Sequence, residues 1–379
     1  MDAQPQKRNT NNPYIPVEIV EEILFNLPLK SLLRFSSVSK SWNSMIFESG
    51  FIKRFRSRAA ASRERIVLGE SVFEGCSTRL LSSISSNNHP SADETDFVCP
   101  FGNHPNLTAL AFSDEFWLAR AGKSLLLWNP SMRKHMKLPT PSFMRKRPDD
   151  FVFGLGYDPV GDDYKILKIP RADAMHHPHY RAELYSLRSD SWKNIKNFST
   201  DIDVGSKRGV FVSGKLHWMS SSRAAINIIS FNLSTEKFGE VAQPNYSLIN
   251  RDAVVEEVSV LRGMLCLGLR EGIWFDIWVM EEYGVAKSWT KKFGFNSISG
   301  SPFHDPWPLY FSENGEIIAR VIDGWEDTKI SVYKLNKKTA VLQEITGFFF
   351  DKDFVYVDSL VAPAMWRRRL PSSKIATGR

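Results

Sequence analysis

Three histidines in the run His176-His177-Pro178-His179 have the spacing that comes nearest to a metal site in this sequence. Imidazole nitrogens are common zinc ligands, and a zinc site needs about four ligands that converge on one ion. Neighbouring histidines separated by a proline rarely converge in this way, and no carboxylate or thiol completes the set at helical spacing. We therefore predict no metal site here and no cofactor elsewhere in the chain.

Three carboxylates, Asp158, Asp162 and Asp163, form a second candidate site, because carboxylate oxygens bind calcium. The same short stretch contains proline and glycine. Asp, Gly and Pro favour turns, so a polar hairpin turn accounts for these residues better than an ion does. Cys266 lies in an apolar run and is predicted to be a buried hydrophobic side chain.

Catalytic motifs are missing from the sequence, which contains no GxSxG, HExxH, P-loop or GxGxxG pattern. Length and composition limit the architectures that could position any other site. With 379 residues the chain exceeds the size at which one core stops growing, which predicts two domains or a repeat array. The 11 Trp and 26 Phe favour a β-rich architecture, because aromatic side chains pack well on pleated sheets.

The distribution of charge limits the possible partners, and the number and spacing of the cysteines limit the possible compartment. The formal net charge of +7 is spread along the chain, and its short basic runs are expected to be solvated surface. Cys76, Cys99 and Cys266 form no CxxC pair and no disulfide framework, which predicts a reducing compartment. Residues 1–12 lack the apolar core of a signal peptide, and no apolar run approaches the ~18 residues of a membrane span. The predicted location is the cytosol or the nucleus.

Amphipathic helices are predicted directly after this polar start. Apolar residues recur at three- and four-residue spacing opposite a glutamate-rich side, namely Ile19, Val20, Ile23, Leu24 and Leu27. Pro16 fits a first helical turn, and Pro28 ends this helix. Ser31 and Ser39 are candidate caps for a second and a third helix. A unit of about forty residues cannot bury so many apolar side chains by itself, which indicates a partner protein. The alternative is a helical cap packed on the rest of the chain.

The same segment resembles the F-box motif. The residues that carry the resemblance are Ile15-Pro16-Val17-Glu18-Ile19, Ile23-Leu24, Leu27-Pro28, Leu32-Leu33 and Val38-Ser39-Lys40-Ser41-Trp42. Ile15 replaces the family's leucine and Ser39 its cysteine. The resemblance implies binding to the Skp-type adaptor, which joins an F-box protein to a cullin. The implied adaptor contacts, some of which must instead form the F-box core, are Pro16, Ile19, Leu24, Leu27, Pro28, Leu32, Leu33, Val38 and Trp42.

Beyond Arg58 the sequence repeats an apolar strand, a polar turn and a second strand with an aromatic or apolar anchor. Successive repeats start roughly 45 to 58 residues apart, within the range of propeller blades. Each repeat is preceded by another hairpin, such as 152–157 with 164–169, and two hairpins make a four-stranded blade. Five such units run from about 106 to 345. Strands around 66–81 and 354–362 would jointly build a sixth blade, although five or seven blades stay open.

This repeat resembles the plant F-box-associated domain, a kelch-like relative. The phrases that carry the resemblance include Leu127-Trp128-Asn129-Pro130-Ser131, Gly156-Tyr157-Asp158-Pro159, Ser191-Trp192, Leu216-His217-Trp218 and Ile277-Trp278-Val279-Met280. The run Ala111-Phe112-Ser113-Asp114-Glu115-Phe116-Trp117 departs from the family pattern, so the first blade is expected to be altered. The implied fold is mainly β, a small three-helix F-box followed by a kelch-like β-propeller of about six blades.

The expected domain boundaries follow from this resemblance. A disordered N-terminus covers 1–12, the helical F-box covers 13–58, and a linker with joining strands covers 59–99. The propeller covers 100–363, and a basic disordered tail covers 364–379.

Alternate connections in a propeller emerge on opposite faces. The predicted turns within hairpins are short, whereas the longer links fall on one rim, at 140–150, 170–181, 197–208, 242–254, 294–307 and 321–328. Because loops carry binding function, this rim is the predicted target-binding face. Its candidate anchors, mostly the aromatic type that dominates protein-binding hot spots, are Met144, His176, His177, His179, Tyr246, Phe303, Trp307 and Trp325.

Together these features predict the substrate-recognition subunit of an SCF-type (Skp–cullin–F-box) ubiquitin ligase, a receptor that performs no chemistry. The expected partners are the Skp-type adaptor, through it a cullin, and an unidentified target protein. No nucleic acid is expected because the rim mixes basic and acidic residues, and no membrane is expected either. One alternative is an F-box scaffold acting outside a ligase. Another is a propeller enzyme such as a glycosidase, which needs two convergent carboxylates that sequence does not show.

Overall fold

A computed structural model of the chain describes residues 15–57, 64–72, 75–81, 95–98, 107–113, 115–142, 150–171, 181–195, 204, 209–221, 226–244, 254–272, 274–296, 307–311, 316–323, 327–334, 340–341, 350–357 and 359–361. For the strands within 64–98 and 307–357 it describes the backbone and its pairing. The chain divides into two compact units, residues 1–59 and residues 60–379.

Four short helices form the first unit: α1 (Val17–Phe25), α2 (Leu29–Phe35), α3 (Lys40–Ile46) and α4 (Ser49–Ser57). The sequence predicts three of them, and the structure adds α4. This helix carries Phe51 and Phe55 one turn apart, both buried. Their rings lie 5.8 and 6.4 Å from that of Phe25 on α1, so α4 supplies the aromatic side of a small core.

The helix starts follow the chemistry of their first residues. Ser39 caps α3 as predicted, because its Oγ accepts a hydrogen bond from the Trp42 amide at 3.1 Å. The prediction that Ser31 caps the second helix is wrong. That helix begins at Leu29 with Pro28 in the capping position, where a proline loses nothing because a first-turn N–H has no helical partner.

The second unit consists of six four-stranded antiparallel sheets. The first strands along the chain are β1 (Glu64–Val72), β2 (Gly75–Leu81) and β3 (Thr95–Val98). Blade 1 contains β4 (Leu107–Phe112), β5 (Trp117–Ala121), β6 (Ser124–Asn129) and β7 (Lys134–Leu138). Blade 2 contains β8 (Phe151–Asp158), β9 (Asp163–Pro170), β10 (Glu183–Ser186) and β11 (Ser191–Asn194). Blade 3 contains β12 (Val210–Val212), β13 (Lys215–Ser221), β14 (Ile226–Asn232) and β15 (Lys237–Val241).

Two further blades have the same order. Blade 4 contains β16 (Val254–Leu261), β17 (Met264–Glu271), β18 (Trp274–Met280) and β19 (Trp289–Asn296), with a 3-10 turn at Ala286–Ser288 before its last strand. Blade 5 contains β20 (Trp307–Phe311), β21 (Glu316–Asp323), β22 (Asp327–Lys334) and β23 (Ala340–Val341). Register confirms the predicted hairpins: Val152 pairs with Ile169 and Tyr157 pairs with Tyr164.

Strands from both ends of the unit close the ring. The last strand, β24 (Phe350–Val357), pairs antiparallel with β1, and blade 6 has the order β24-β1-β2-β3. The first strand of every blade contacts the first strand of the next, from β4 through β8, β12, β16 and β20 to β24, which returns to β4. The fold is therefore a six-bladed β-propeller, and the predicted sixth blade built from two chain segments is confirmed.

Neighbouring blades approach so closely that some inner positions admit no side chain. A Cβ atom on Gly156 of β8 would lie 2.2 Å from the Phe211 ring of blade 3, and one on Gly154 would lie 2.7 Å from the Trp218 ring. Trp218 and Leu216 are fully buried there. Glycine in β8 thus allows the aromatic side chains of blade 3 to reach the backbone of blade 2.

Candidate functional site

The helical unit exposes an unusual amount of apolar surface. Its exposed apolar side chains, each between 50% and 63% exposed, are Ile15, Val17, Ile19, Ile23 and Val38. Ile19 and Ile23 lie one turn apart on α1, which places them on one side of the helix. Exposed apolar groups in such number on a small unit mark a surface that a partner covers. We call these five residues the apolar surface of the helical unit.

The structure sorts the residues that sequence assigned jointly to adaptor contact and core. Leu24 and Leu32 are buried, so they form the core of the helical unit. Pro16, Ile19, Pro28 and Val38 are exposed, and Leu27, Leu33 and Trp42 are half-buried. The set omitted Ile15, Val17 and Ile23. The four-residue spacing from Ile15 through Ile19 to Ile23 is a signal that could have found Ile15 and Ile23, but not Val17.

Trp42 is held by its neighbours. Its indole ring meets the Phe35 ring edge-on at 5.5 Å, and the Ser39 cap fixes its backbone. Arg54 of α4 forms a 2.6 Å ion pair with Glu21 and lies over the Phe25 ring at 5.1 Å. These contacts fix the helices, so the apolar surface is presented on a preformed unit.

The propeller has two faces of different character. On the turn face, the turns at 130–133, 159–162, 187–190 and 233–236 have four residues each, and each ends in a residue of positive φ. The opposite face carries the links from second to third strands and from blade to blade, and we call it the loop face. Strand bounds give long links there at 139–150, 171–182 and 242–253.

The predicted anchors of the loop face lie mostly outside the described residues. These are Met144, His176, His177, His179, Tyr246, Phe303 and Trp325. Trp307 is the first residue of β20, where the backbone alone is described. The prediction of a long link at 321–328 is wrong, because β21 and β22 continue to a pairing of Asp323 with Asp327 and leave three residues, 324–326, between them. Continued hydrogen bonding of the two strands shortens the link.

A buried ion pair lies in blade 2 near the loop face. Lys168 of β9 and Glu183 of β10 are register partners, and Lys168 Nζ lies 2.6 Å from Glu183 Oε2. Their side chains are only 1% and 6% exposed. Burial lowers the pKa of the Lys168 amine despite the carboxylate beside it. Sequence reasoning missed this pair, because alternating strand positions do not reveal which lysine is buried.

A second polar cluster joins blades 2 and 3 at the turn face. Lys165 Nζ lies 2.9 Å from Asp158 Oδ2 and 3.2 Å from Glu236 Oε1, and donates to the Leu233 carbonyl at 2.7 Å. Burial alone would raise the pKa of Asp158, but hydrogen bonds from Ser234 and Lys165 lower it to about 2. These contacts confirm that Asp158 belongs to a turn region, and they give it a role in fastening one blade to the next.

Two further groups of possible reactivity are structural. His217 is fully buried, and burial lowers the pKa of its imidazole to about 4. Cys266 is buried as predicted, and burial raises the pKa of its thiol to about 12, which keeps it from acting as a nucleophile. Within the described residues there is no group of three or more His, Cys, Asp or Glu side chains placed to hold a metal ion. In the same part of the chain, no helix is long and apolar enough to cross a membrane.

Comparison with known proteins matches both units. The F-box domain family matches residues 14–54, and the family described as the F-box associated beta propeller domain matches residues 74–363. An F-box/kelch-repeat protein of Arabidopsis thaliana is 29% identical over 352 residues, which cover 83% of this chain and 93% of that protein. The F-box protein CPR1 of the same plant is 29% identical over 358 residues, covering 86% of this chain and 83% of its own length. A further Arabidopsis F-box protein is 30% identical over 249 residues, 63% of each chain.

Proposed function

Because this chain belongs to the plant F-box proteins with a C-terminal F-box associated β-propeller domain, we propose that it is the substrate-recognition subunit of an SCF-type ubiquitin ligase. The receptor performs no chemistry itself. It raises the effective concentration of a target's lysines near the ubiquitin-conjugating enzyme by holding both in one assembly. We propose the cytosol or the nucleus as its compartment, on the basis of its few, widely spaced cysteines.

The observation that carries this proposal is the apolar surface of the helical unit. Burying exposed apolar area at an interface contributes roughly 25 cal/mol of stabilising free energy per Å². Ile19, Ile23 and Val38 would each contribute such area to a protein interface. The partner we propose is the Skp-type adaptor, which links the receptor to a cullin. Leu24 and Leu32 would support this contact indirectly as core residues.

Binding to a purified Skp-type adaptor tests the proposal. The full chain should bind, and a variant with both Ile19→Glu and Val38→Glu should bind at least tenfold more weakly, because two carboxylates would be buried without partners. Val160→Glu is the matched control, since Val160 is 82% exposed on the turn face of the propeller. Failure of the full chain to bind, or equal binding by the double variant, would reject the adaptor role.

We propose the loop face of the propeller as the target-binding face. Long links vary without disturbing the blades they connect, which suits recognition of a specific protein. Replacing Trp307 and Trp325 together by Ala should abolish target binding and leave adaptor binding intact. Unchanged target binding in that variant would reject this face.

The target can be trapped by separating the two activities. In cells, the Ile19→Glu, Val38→Glu variant should still hold its target yet fail to deliver it. Proteins that accumulate with this variant and are recovered with it, but not with the same variant carrying the Trp307 and Trp325 changes, are the expected targets. An F-box scaffold acting outside a ligase would bind the same proteins without changing their abundance.

A further inference from the structure

The buried ion pair of blade 2 is connected to the link that enters this blade from blade 1. Lys168 Nζ donates to the Ser142 carbonyl, and the Ser142 amide donates to Glu183 Oε1 at 3.3 Å. The two side chains therefore bind both backbone polar groups of Ser142. The Lys168 ammonium donates to its carbonyl, and the Glu183 carboxylate accepts from its amide. Reversing the two charges would offer each group the wrong partner.

Other contacts of blade 2 hold the same link. Trp192 Nε1 donates to the Pro139 carbonyl at 2.8 Å, and Pro141 is buried between two exposed residues, Thr140 and Ser142. Lys168 Nζ also lies 4.2 Å from the centre of the Phe151 ring, which fixes the ammonium from a further side. Residues 139–142 are thus fixed at three points by blade 2.

A stabilising role alone gives a weak account of this pair. The free energy needed to remove two charges from water commonly exceeds the free energy that their attraction returns. The geometry that this pair imposes on residues 139–142 is therefore a better account of it than stability. Position along the strand is informative here. Lys165 and Lys168 lie towards opposite ends of β9: Lys165 fastens blade 3 at the turn face, whereas Lys168 holds a loop-face link.

We infer that Lys168 and Glu183 are positioning residues that hold residues 139–142 as a fixed part of the target-binding face, where Thr140 and Ser142 contact the target. This inference rests on the proposed function. Thr140 and Ser142 are exposed and carry hydroxyl groups, so the segment fits a target segment that hydrogen-bonds to these hydroxyls. A preformed segment binds more tightly than a loop that must be ordered on binding, because the ordering cost is already met.

Hydrogen exchange in the full chain tests the positioning. Residues 139 and 141 are prolines without amides, so exchange within 139–142 reports on Thr140 and Ser142 alone. In the charge-swapped variant Lys168→Glu, Glu183→Lys, the Ser142 amide faces an ammonium instead of its carboxylate acceptor and should exchange at least tenfold faster. The control swap Lys292→Glu, Glu281→Lys, in an exposed ion pair of blade 4, should leave the exchange of this amide unchanged. If the swapped chain does not fold, Lys168→Met with Glu183→Met removes the pair and should give the same acceleration.

Target contact is tested with the proteins trapped by the Ile19→Glu, Val38→Glu variant. Adding Thr140→Arg should reduce their recovery at least tenfold, whereas Thr235→Arg, at an exposed position of the turn face, should not. Unchanged amide exchange in the swapped and apolar pair variants would overturn the positioning role, and equal recovery with Thr140→Arg would overturn the contact. Failure of the full chain to bind the Skp-type adaptor would instead reject the proposed function, and the exchange experiment does not depend on it.

Discussion

The Tyr283 hydroxyl lies 2.7 Å from Nε2 of His217 and joins blade 4 to the second strand of blade 3. Nδ1 of the same imidazole lies 3.3 Å from the Val210 carbonyl. Lys215 lies over the Tyr283 ring at 4.9 Å. A buried imidazole between a hydroxyl, a carbonyl and a nearby ammonium is stable in its neutral form, which agrees with its lowered pKa.

The first prediction concerns pH and this histidine. Because the folded pKa of His217 is about 4 against 6.5 for the free side chain, the unfolded chain binds the proton more readily between those values. Stability is therefore fully present above pH 6.5 and falls as the pH drops towards 4, by about 3 kcal/mol from this group. Urea unfolding at pH 7 and pH 4.5 measures the loss. In His217→Asn the loss should shrink, and an unchanged pH dependence would contradict the assignment.

The second prediction separates the core of the helical unit from its apolar surface. Leu24→Ala or Leu32→Ala should destabilise the unit by about 2–5 kcal/mol, because each removes a fully buried side chain. Ile19→Ala and Val38→Ala remove exposed side chains and should each change stability by about 0.5 kcal/mol or less. Hydrogen exchange of the amides of α1 to α3 in the full chain measures both. Comparable destabilisation by all four variants would show that the exposed residues are part of the core.

The third prediction concerns the contact between blades 2 and 3. Gly156→Ala should destabilise the propeller by about 1–3 kcal/mol, because the new methyl group overlaps the Phe211 ring. Gly239→Ala is the control, since its nearest neighbour, Ser230 Oγ, would lie at an ordinary 3.6 Å. Denaturant unfolding followed by circular dichroism should show a loss for Gly156→Ala and no loss for the control.

The fourth prediction concerns closure of the ring after β24. Asn129 Nδ2 donates to the Val361 carbonyl at 3.1 Å, while its Oδ1 caps the turn of blade 1 through the Met132 amide. Asn129→Ala should cost about 1–3 kcal/mol, because it leaves buried groups without partners. Asn232 caps the corresponding turn of blade 3, so Asn232→Ala measures the cost of losing the cap. Equal costs for the two variants, measured by urea unfolding, would argue against a role in closure.

The blade pattern was predictable because strand structure is local and periodic. Apolar residues alternate with polar ones at a spacing of two, and turn residues separate the strands, so the first hairpin of blade 2 could be placed to within a residue. The F-box resemblance was equally local, since it depends on short runs between Ile15 and Trp42. Closure by β24 and β1 was predictable only because leftover strands at both ends needed partners.

Burial, in contrast, was decided by the tertiary structure. Ile23 and Leu24 are adjacent and chemically alike, yet Ile23 is 52% exposed and Leu24 is 1% exposed. Lys165 and Lys168 lie on the same strand. The packing of blade 2 against its neighbours places Lys165 in contact with blade 3 and Lys168 in contact with Ser142. A sequence records which side chains a chain carries and their local period. Which of them lose water depends on what other segments lie against them, and that is fixed only when each unit has folded.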